Sequence, residues 1–186
     1  MIPSEIFIKN NNRVDFLSIL PKNSICAELG VYSGRFSYYI IKETLPKKLY
    51  LIDPYWKEYG EEFWWNKKKT WDIFCKAVKV IQKYDIEKCS SFIIDRDIDF
   101  LKGIKDRYFD WVYLDSSHEY EDTLKELEAV KLKVKEDGLI CGHDYRENPR
   151  HKHHGVCKAI NEWLEDNKEY KLYLRDNHTQ WIIKRK

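Results

Sequence analysis

The sequence predicts an α/β fold, with a mostly parallel, seven-stranded sheet covered by helices on both faces. Three observations carry that expectation. Short apolar runs alternate with longer amphipathic ones along the whole chain, as in strand–helix crossovers. The strand runs, such as KLYLID and DWVYLD, are almost continuously apolar, which suits strands buried on both faces. The last two runs are separated only by Arg175-Asp176-Asn177. That gap is too short for a parallel crossover, so the chain closes with an antiparallel hairpin.

Taken in order, residues 1–23 read as an N-terminal cap, either a strand or a short helix over Arg13–Leu20. The first strand is 24–29 (SICAEL), followed by a glycine turn and a helix over 34–44. Strand 48–53 leads into an insert at 54–71 that carries four of the seven tryptophans, read as an aromatic lid or as core for a lid helix. Its Lys67-Lys68-Lys69 run reads as a solvated helix start, and a helix over 69–83 follows. Strand 91–95, helix 97–105 and strand 110–115 come next, then a helix over 119–134. In that helix Tyr120, Leu124, Leu127, Val130 and Val134 form one stripe. Glu119, Glu121, Asp122, Lys125, Glu126 and Lys133 are expected to face water. Acids in its first turn and lysines in its last suit the helix dipole, and Gly138 is expected to end the connection before strand 138–143. A helix over 156–166 and strands 169–174 and 178–184 complete a single domain spanning 1–186.

The bulk composition fits this reading and narrows the partners. With 43% hydrophobic residues the chain can build one sizeable core. Thirty-three basic residues against 31 acidic ones leave a formal charge of +2. A field so mixed gives no case for nucleic acid or a membrane as partner. Five cysteines with no CxxC pair argue against disulfides or structural zinc, and Cys26 and Cys141 lie in strands as small hydrophobes. No signal-like apolar segment and no membrane-length run is present, so a cytoplasmic protein is expected.

Function is expected at one edge of the sheet. Ligands of open α/β sheets bind outside the carboxyl ends of the strands. Those ends carry Glu28, Asp53, Asp95, Asp115 and His143-Asp144. Any one acid can be a helix cap, but five opening on one edge indicate a site. The glycine turn is G-x-x-x-G, with Gly30 and Gly34 flanking Val31, Tyr32 and Ser33, and not the G-x-G-x-x-G of a pyrophosphate cradle. Glu28 beside it would repel a pyrophosphate and favour a cation. S-adenosylmethionine carries a sulfonium and an ammonium, so it suits this loop, with the glycines keeping Cβ atoms clear of it. Asp53, 19 residues after Gly34, can accept both hydroxyls of a ribose, or can cap the turn in Asp-Pro-Tyr.

These residues carry a family resemblance. ELGVYSGRFS (28–37) and LIDPY (51–55) resemble motif I and its acidic partner in class I S-adenosylmethionine-dependent methyltransferases. DWVYLDSSHEYEDT (110–123), DGLICGHDY (137–145) and G-V-x-K-A-I (155–160) resemble the branch known as methyltransferase family 24, similar to the macrocin-type sugar O-methyltransferases. The resemblance implies a Rossmann-like class I sandwich. It places Glu28, Gly30, Ser33 and Gly34 at the methionine end of the donor, Asp53 at the ribose, and Asp95 or Arg96 at the adenine edge. Asp115 counts with both the donor site and a metal site.

Metal-dependent O-methyltransferases resembling this chain hold Mg²⁺ or a similar ion between the ends of two strands, where it lowers the pKa of the acceptor hydroxyl. Carried over, Asp115 and Asp144 are ligands, and His143 stands where the sugar enzymes have an acid. A histidine ligand suits Mn²⁺, Fe²⁺ or Zn²⁺ better than Mg²⁺. Alternatively His143 is the general base. Those enzymes carry an acid at the position of Ser117, so the base moves to His118 or His143, unless His118 merely caps helix 119–134. His151-Lys-His-His154 reads as a solvated loop beside the pocket, from which His153 or His154 can touch substrate. The expected acceptor is a hydroxyl on a sugar or small metabolite. An NAD(P)-binding oxidoreductase and a non-catalytic nucleotide-binding module remain the alternatives.

Overall fold

The computed structural model describes residues 4–55 and 67–186. The strands are β1 (Ile6–Ile8), β2 (Ile25–Leu29), β3 (Lys48–Ile52), β4 (Ser90–Ile93), β5 (Phe109–Leu114), β6 (Val134–Gly142), β7 (Tyr170–Asp176) and β8 (Trp181–Arg185). The helices are α1 (Arg35–Thr44), α2 (Lys67–Tyr84), α3 (Asp97–Lys102), α4 (Tyr120–Lys133) and α5 (His154–Asp166), and a 3-10 helix spans Arg13–Ile19. The strands form one sheet in the order β1-β7-β8-β6-β5-β2-β3-β4. All neighbours pair in parallel except β8, which runs antiparallel to both β6 and β7.

Strand alternation splits the core into two layers, which explains the continuously apolar runs. On one face Val112, Leu114, Ala27 and Leu29 pack with Leu101, Leu127, Val130, Val156 and Ile160 of α3, α4 and α5. On the other, Trp111, Tyr113, Cys26 and Cys141 pack with Phe16, Leu17, Ile40 and Ala77 of the 3-10 helix, α1 and α2. Each fully buried Val, Leu, Ile or Phe among them contributes about 1.5–3 kcal/mol by leaving water. The large Trp111 is also tethered, its indole N–H donating to Ser24 Oγ at 2.8 Å.

Four details differ from the expectations. The sheet has eight strands, because the N-terminal cap supplies both a strand, β1 on the β7 edge, and a helical turn. The terminal hairpin is present, with β8 inserted between β6 and β7. Helix α4 ends about where expected, but no connection up to Gly138 follows it: Val134 takes extended geometry (φ −83°, ψ 140°) and starts β6 directly. Gly138 lies inside β6 at a register shift against Phe109–Trp111. Glu126, expected in water, is buried. It accepts a hydrogen bond from Ser116 Oγ at 2.6 Å, and burial, then the nearby Asp97 carboxyl, push its pKa well above the usual range. A neutral Glu126 is compatible with the core where a charged one is not. Most of the aromatic insert, residues 56–66, lies outside the described residues.

The register brings the functional edge together. Leu29 pairs with Leu114, and Leu114 with Gly142, so the next residues, Gly30, Asp115 and His143, emerge side by side. The ladder runs one residue past these strands: Asp115 N–H donates to Leu29 O at 2.8 Å and His143 N–H to Leu114 O at 3.1 Å.

Candidate active site

The glycine loop after β2 is held from below. Gly30 has φ +91°, and a Cβ there would lie 2.3 Å from Asp115 O. Beyond the expected clearance for a donor, Gly30 is therefore also required by the backbone of the β5 loop. Gly34 caps α1 in left-handed geometry and presses on Ala77 of α2. Ser33 is half-buried in the loop between them.

Asp53, 2% exposed, accepts from Val31 N–H at 3.1 Å and Tyr32 N–H at 2.8 Å through Oδ2, and from Tyr55 N–H at 3.1 Å through Oδ1. It thereby fixes the loop. Tyr55 closes the same corner, its hydroxyl donating to Tyr32 O. Glu28 is 1% exposed and accepts from the Ser37 hydroxyl of α1. Burial raises its pKa to about 8, although the Ser37 hydrogen bond opposes the rise.

Asp95 and Arg96 lie at the end of β4, where Asp95 Oδ1 accepts from Arg96 N–H at 2.9 Å. Four strand spacings separate β4 from β6, about 19 Å, so these residues belong to the opposite end of the edge from Asp144.

At that other end the side chains converge on Asp144. The residue is 4% exposed and adopts φ +60°, a left-handed turn that aspartate tolerates. Its flanks are pinned: Trp181 Nε1 donates to His143 O at 3.0 Å and Tyr145 N–H to Thr179 O at 2.9 Å. Asp144 Oδ2 lies 3.0 Å from His153 Nδ1, 3.1 Å from His143 Nδ1 and 3.5 Å from His118 Nε2. Arg146 Nε donates to Oδ1 at 3.1 Å. Burial disfavours the Asp144 charge, but His143, His118 and Arg146 outweigh it and hold the carboxyl far below the usual range. Burial lowers the His118 pKa against the opposing pull of Asp115 and Asp144, which favours the neutral ring.

His143 also places Nδ1 3.7 Å from Asp115 Oδ1, and its Nε2 lies 3.4 Å from Thr179 Oγ1. The expected set Asp115, His143 and Asp144 thus stands close enough to share an ion. A second set, His118, Asp144 and His153, does so too. The donor chemistry of both fits a divalent cation.

Two participants were not assigned these roles from the sequence. Arg13 reaches from the 3-10 helix to form an ion pair with Asp115 Oδ2. Its guanidinium lies over the Phe36 ring at 4.1 Å and donates to Tyr113 Oη at 3.1 Å. No local motif marks such a contact across about a hundred residues. His153 was expected only as a surface-loop contact, yet its ring turns inward. The spacing of the histidine run was its only sequence signal.

The mostly parallel sheet, the glycine loop after β2 and the acids on one edge define a Rossmann-like enzyme of the class I methyltransferase type. A family described as "Methyltransferase domain" matches residues 27–145. Solved structures agree on the fold. A candidate rRNA methylase from Clostridium thermocellum superposes with TM-score 0.66 at 14% identity, covering 96% of both chains. A candidate O-methyltransferase from Klebsiella pneumoniae gives 0.67 at 12% identity, covering 99% of this chain and 83% of the other. A candidate methyltransferase from Streptococcus mutans, solved in complex with S-adenosylhomocysteine, gives 0.60 at 15% identity, covering 91% and 92%. No curated protein matches in sequence. The chain belongs to methyltransferase family 24 and is an S-adenosylmethionine-dependent methyltransferase.

Proposed function

We propose that this chain transfers a methyl group to a hydroxyl of a sugar or another small cytoplasmic metabolite, with His143 or His118 taking the proton. The observation that carries the reading is the convergence of imidazoles on the buried Asp144, two strands from the glycine loop with β5 between them. A neutral His118 beside an anionic Asp144 can accept a proton, and the carboxylate steadies the resulting imidazolium. Glu28, Gly30, Ser33 and Gly34 serve the methionine end of the donor, Asp53 its ribose, and Asp95 or Arg96 its adenine. The donor, when bound, supplies an electrophilic methyl group. The protein aligns the acceptor oxygen with it, and much of the acceleration comes from that orientation.

A cleft of about 420 Å³ is lined by Tyr145 and Arg146, which follow Asp144 in sequence, and by His151, Arg175 and Thr179 among others. Its size supports a small acceptor, and the near-even charge balance gives no support for nucleic acid. Asp115, His143 and Asp144 would hold Mg²⁺ or Mn²⁺, which when bound would acidify the acceptor hydroxyl. Among the described residues no helix is long and apolar enough to cross a membrane.

Calorimetry with S-adenosylhomocysteine, paired with turnover on a panel of hydroxylated metabolites, tests the reading. Asp144→Ala is expected to bind S-adenosylhomocysteine like the parent protein and to lose at least a hundredfold in turnover. Unchanged turnover in that variant would remove Asp144 from the mechanism.

A further inference from the structure

We propose that His118, Asp144 and His153 form a nitrogen-rich site for a first-row transition ion of the Zn²⁺ or Co²⁺ type, distinct from a carboxylate-dominated Mg²⁺ site. The inference deepens the metal-assisted reading of the same edge and rests on it for its catalytic use, but not for the existence of the site.

Lone-pair arithmetic comes first. Three ring nitrogens, from His153, His143 and His118, face the single oxygen Asp144 Oδ2 at 3.0–3.5 Å. A carboxylate oxygen offers two lone pairs in its plane, so it cannot accept from all three rings at once. The surplus falls on His153: its Nδ1 is shielded from solvent and has no hydrogen-bond partner. A shielded ring nitrogen that stands 3.0 Å from an anionic oxygen without a hydrogen bond is costly unless another group satisfies it. A cation there lets every lone pair point inward.

The spacing agrees. Metal–nitrogen and metal–oxygen bonds of about 2.1 Å, opening at 90–110°, separate neighbouring ligand atoms by about 3.0–3.4 Å. Within the proposed set the His153 contact to Asp144 Oδ2, 3.0 Å, falls in that range and the His118 contact, 3.5 Å, lies just above it. In each of the two sets all ligand atoms lie within 4.8 Å of one another.

The local fold turns His153 inward. His151 Nδ1 accepts from the His153 backbone N–H at 3.1 Å, and His154 Nδ1 contacts Arg146 O at 2.8 Å. Those two rings therefore fold the loop, while the His153 ring packs on His118 with centroids 4.2 Å apart. Gly155 permits the approach, since a Cβ there would lie 2.7 Å from Tyr120 N and 2.9 Å from His118 O.

Arg13 chooses between the two sets. It forms the ion pair with Asp115 Oδ2, which neutralises the carboxylate that a hard ion would need. The remaining set has two imidazoles and one carboxylate, which favours Zn²⁺, Co²⁺ or Mn²⁺ over Mg²⁺. With the ion on His118 and His153, His143 stays free to take the acceptor's proton.

The test uses the full chain, freed of metal by chelation. Co²⁺ is titrated while its visible d–d absorption is followed, and Zn²⁺ and Mg²⁺ are titrated by calorimetry. S-adenosylhomocysteine affinity serves as the check on folding and on the donor site. Stoichiometric Co²⁺ binding with an imidazole-type spectrum is expected, displaced by Zn²⁺ but not by a hundredfold excess of Mg²⁺. His153→Ala and His118→Ala should each weaken Zn²⁺ at least tenfold while binding S-adenosylhomocysteine normally. The proposal is overturned if Mg²⁺ displaces Co²⁺ at comparable concentration, if both variants bind Zn²⁺ like the parent, or if no ion binds. The first two outcomes return the ion to Asp115 and Asp144 and leave the metal-assisted reading standing. The third removes the metal from both, while retained S-adenosylhomocysteine binding keeps the methyltransferase assignment. The competition in the parent protein needs no variant, so misfolding of either substitution does not shield the idea.

Discussion

Glu28 shows how a residue can be legible in type and not in state. Its place before the glycine loop marks it as functional, but its pairing with Ser37 and its complete burial depend on how α1 packs on β2. The raised pKa, about 8, has a definite consequence for stability. Below about pH 4.5 the carboxyl is protonated in both folded and unfolded chains and contributes nothing. As pH rises from there to about 8, the unfolded chain gives up a proton that the folded chain retains, so stability falls through that window. Glu28→Gln is neutral throughout and should flatten the fall. Urea denaturation at pH 5 and pH 8 checks it: the parent should lose more stability than the variant between the two. An equal loss would mean that Glu28 is ionised in the folded protein.

At the scale of elements, the strand ends and helices were legible because their periodicities are strong, and helices were expected within a few residues of their observed limits. The junction between α4 and β6 was not. Gly138 is a persuasive stop signal, but β6 gains partners on β5 as early as Val134, and tertiary pairing overrode the local cue. The same limit hid Glu126, which a helical wheel places in water and the α3–α4 contact buries. One reason for Gly30 was also non-local, since it lies in the β5 loop. Gly30→Ala would combine a positive φ with a Cβ 2.3 Å from Asp115 O. The expected cost exceeds about 3 kcal/mol, accompanied by loss of S-adenosylhomocysteine binding. Thermal denaturation and calorimetry report both. A variant that melts like the parent would show that the loop can yield.

For the whole molecule, the parallel sheet followed from alternation and its candidate edge was expected from the acids at the strand ends, whereas the link between the N-terminal cap and that edge had no sequence signal. Arg13 lies 102 residues before Asp115 in sequence, and only the closed fold brings them together. Arg13→Ala removes the ion pair and the ring contact with Phe36 while leaving Asp115 largely buried. It should destabilise the fold by about 2 kcal/mol. It should also raise Mg²⁺ affinity by releasing the carboxylate. Chemical denaturation and calorimetry measure the two effects, and unchanged values for both would make Arg13 a bystander.

The placement of β1 has a consequence in time. During synthesis Arg13 emerges before β5, but among the described residues β1 beside it pairs only with β7, and β7 is held in place by β8. β1 therefore has no strand to pair with until β7 and β8 have emerged, although the 3-10 helix that carries Arg13 packs on α1 and β5 and can dock before them. His143 waits for the same event, because its carbonyl is tied to Trp181 of β8. The nascent enzyme can shape its glycine loop well before it can shape the acid–histidine cluster. The acid–histidine cluster is thus completed only once β8 has joined the sheet.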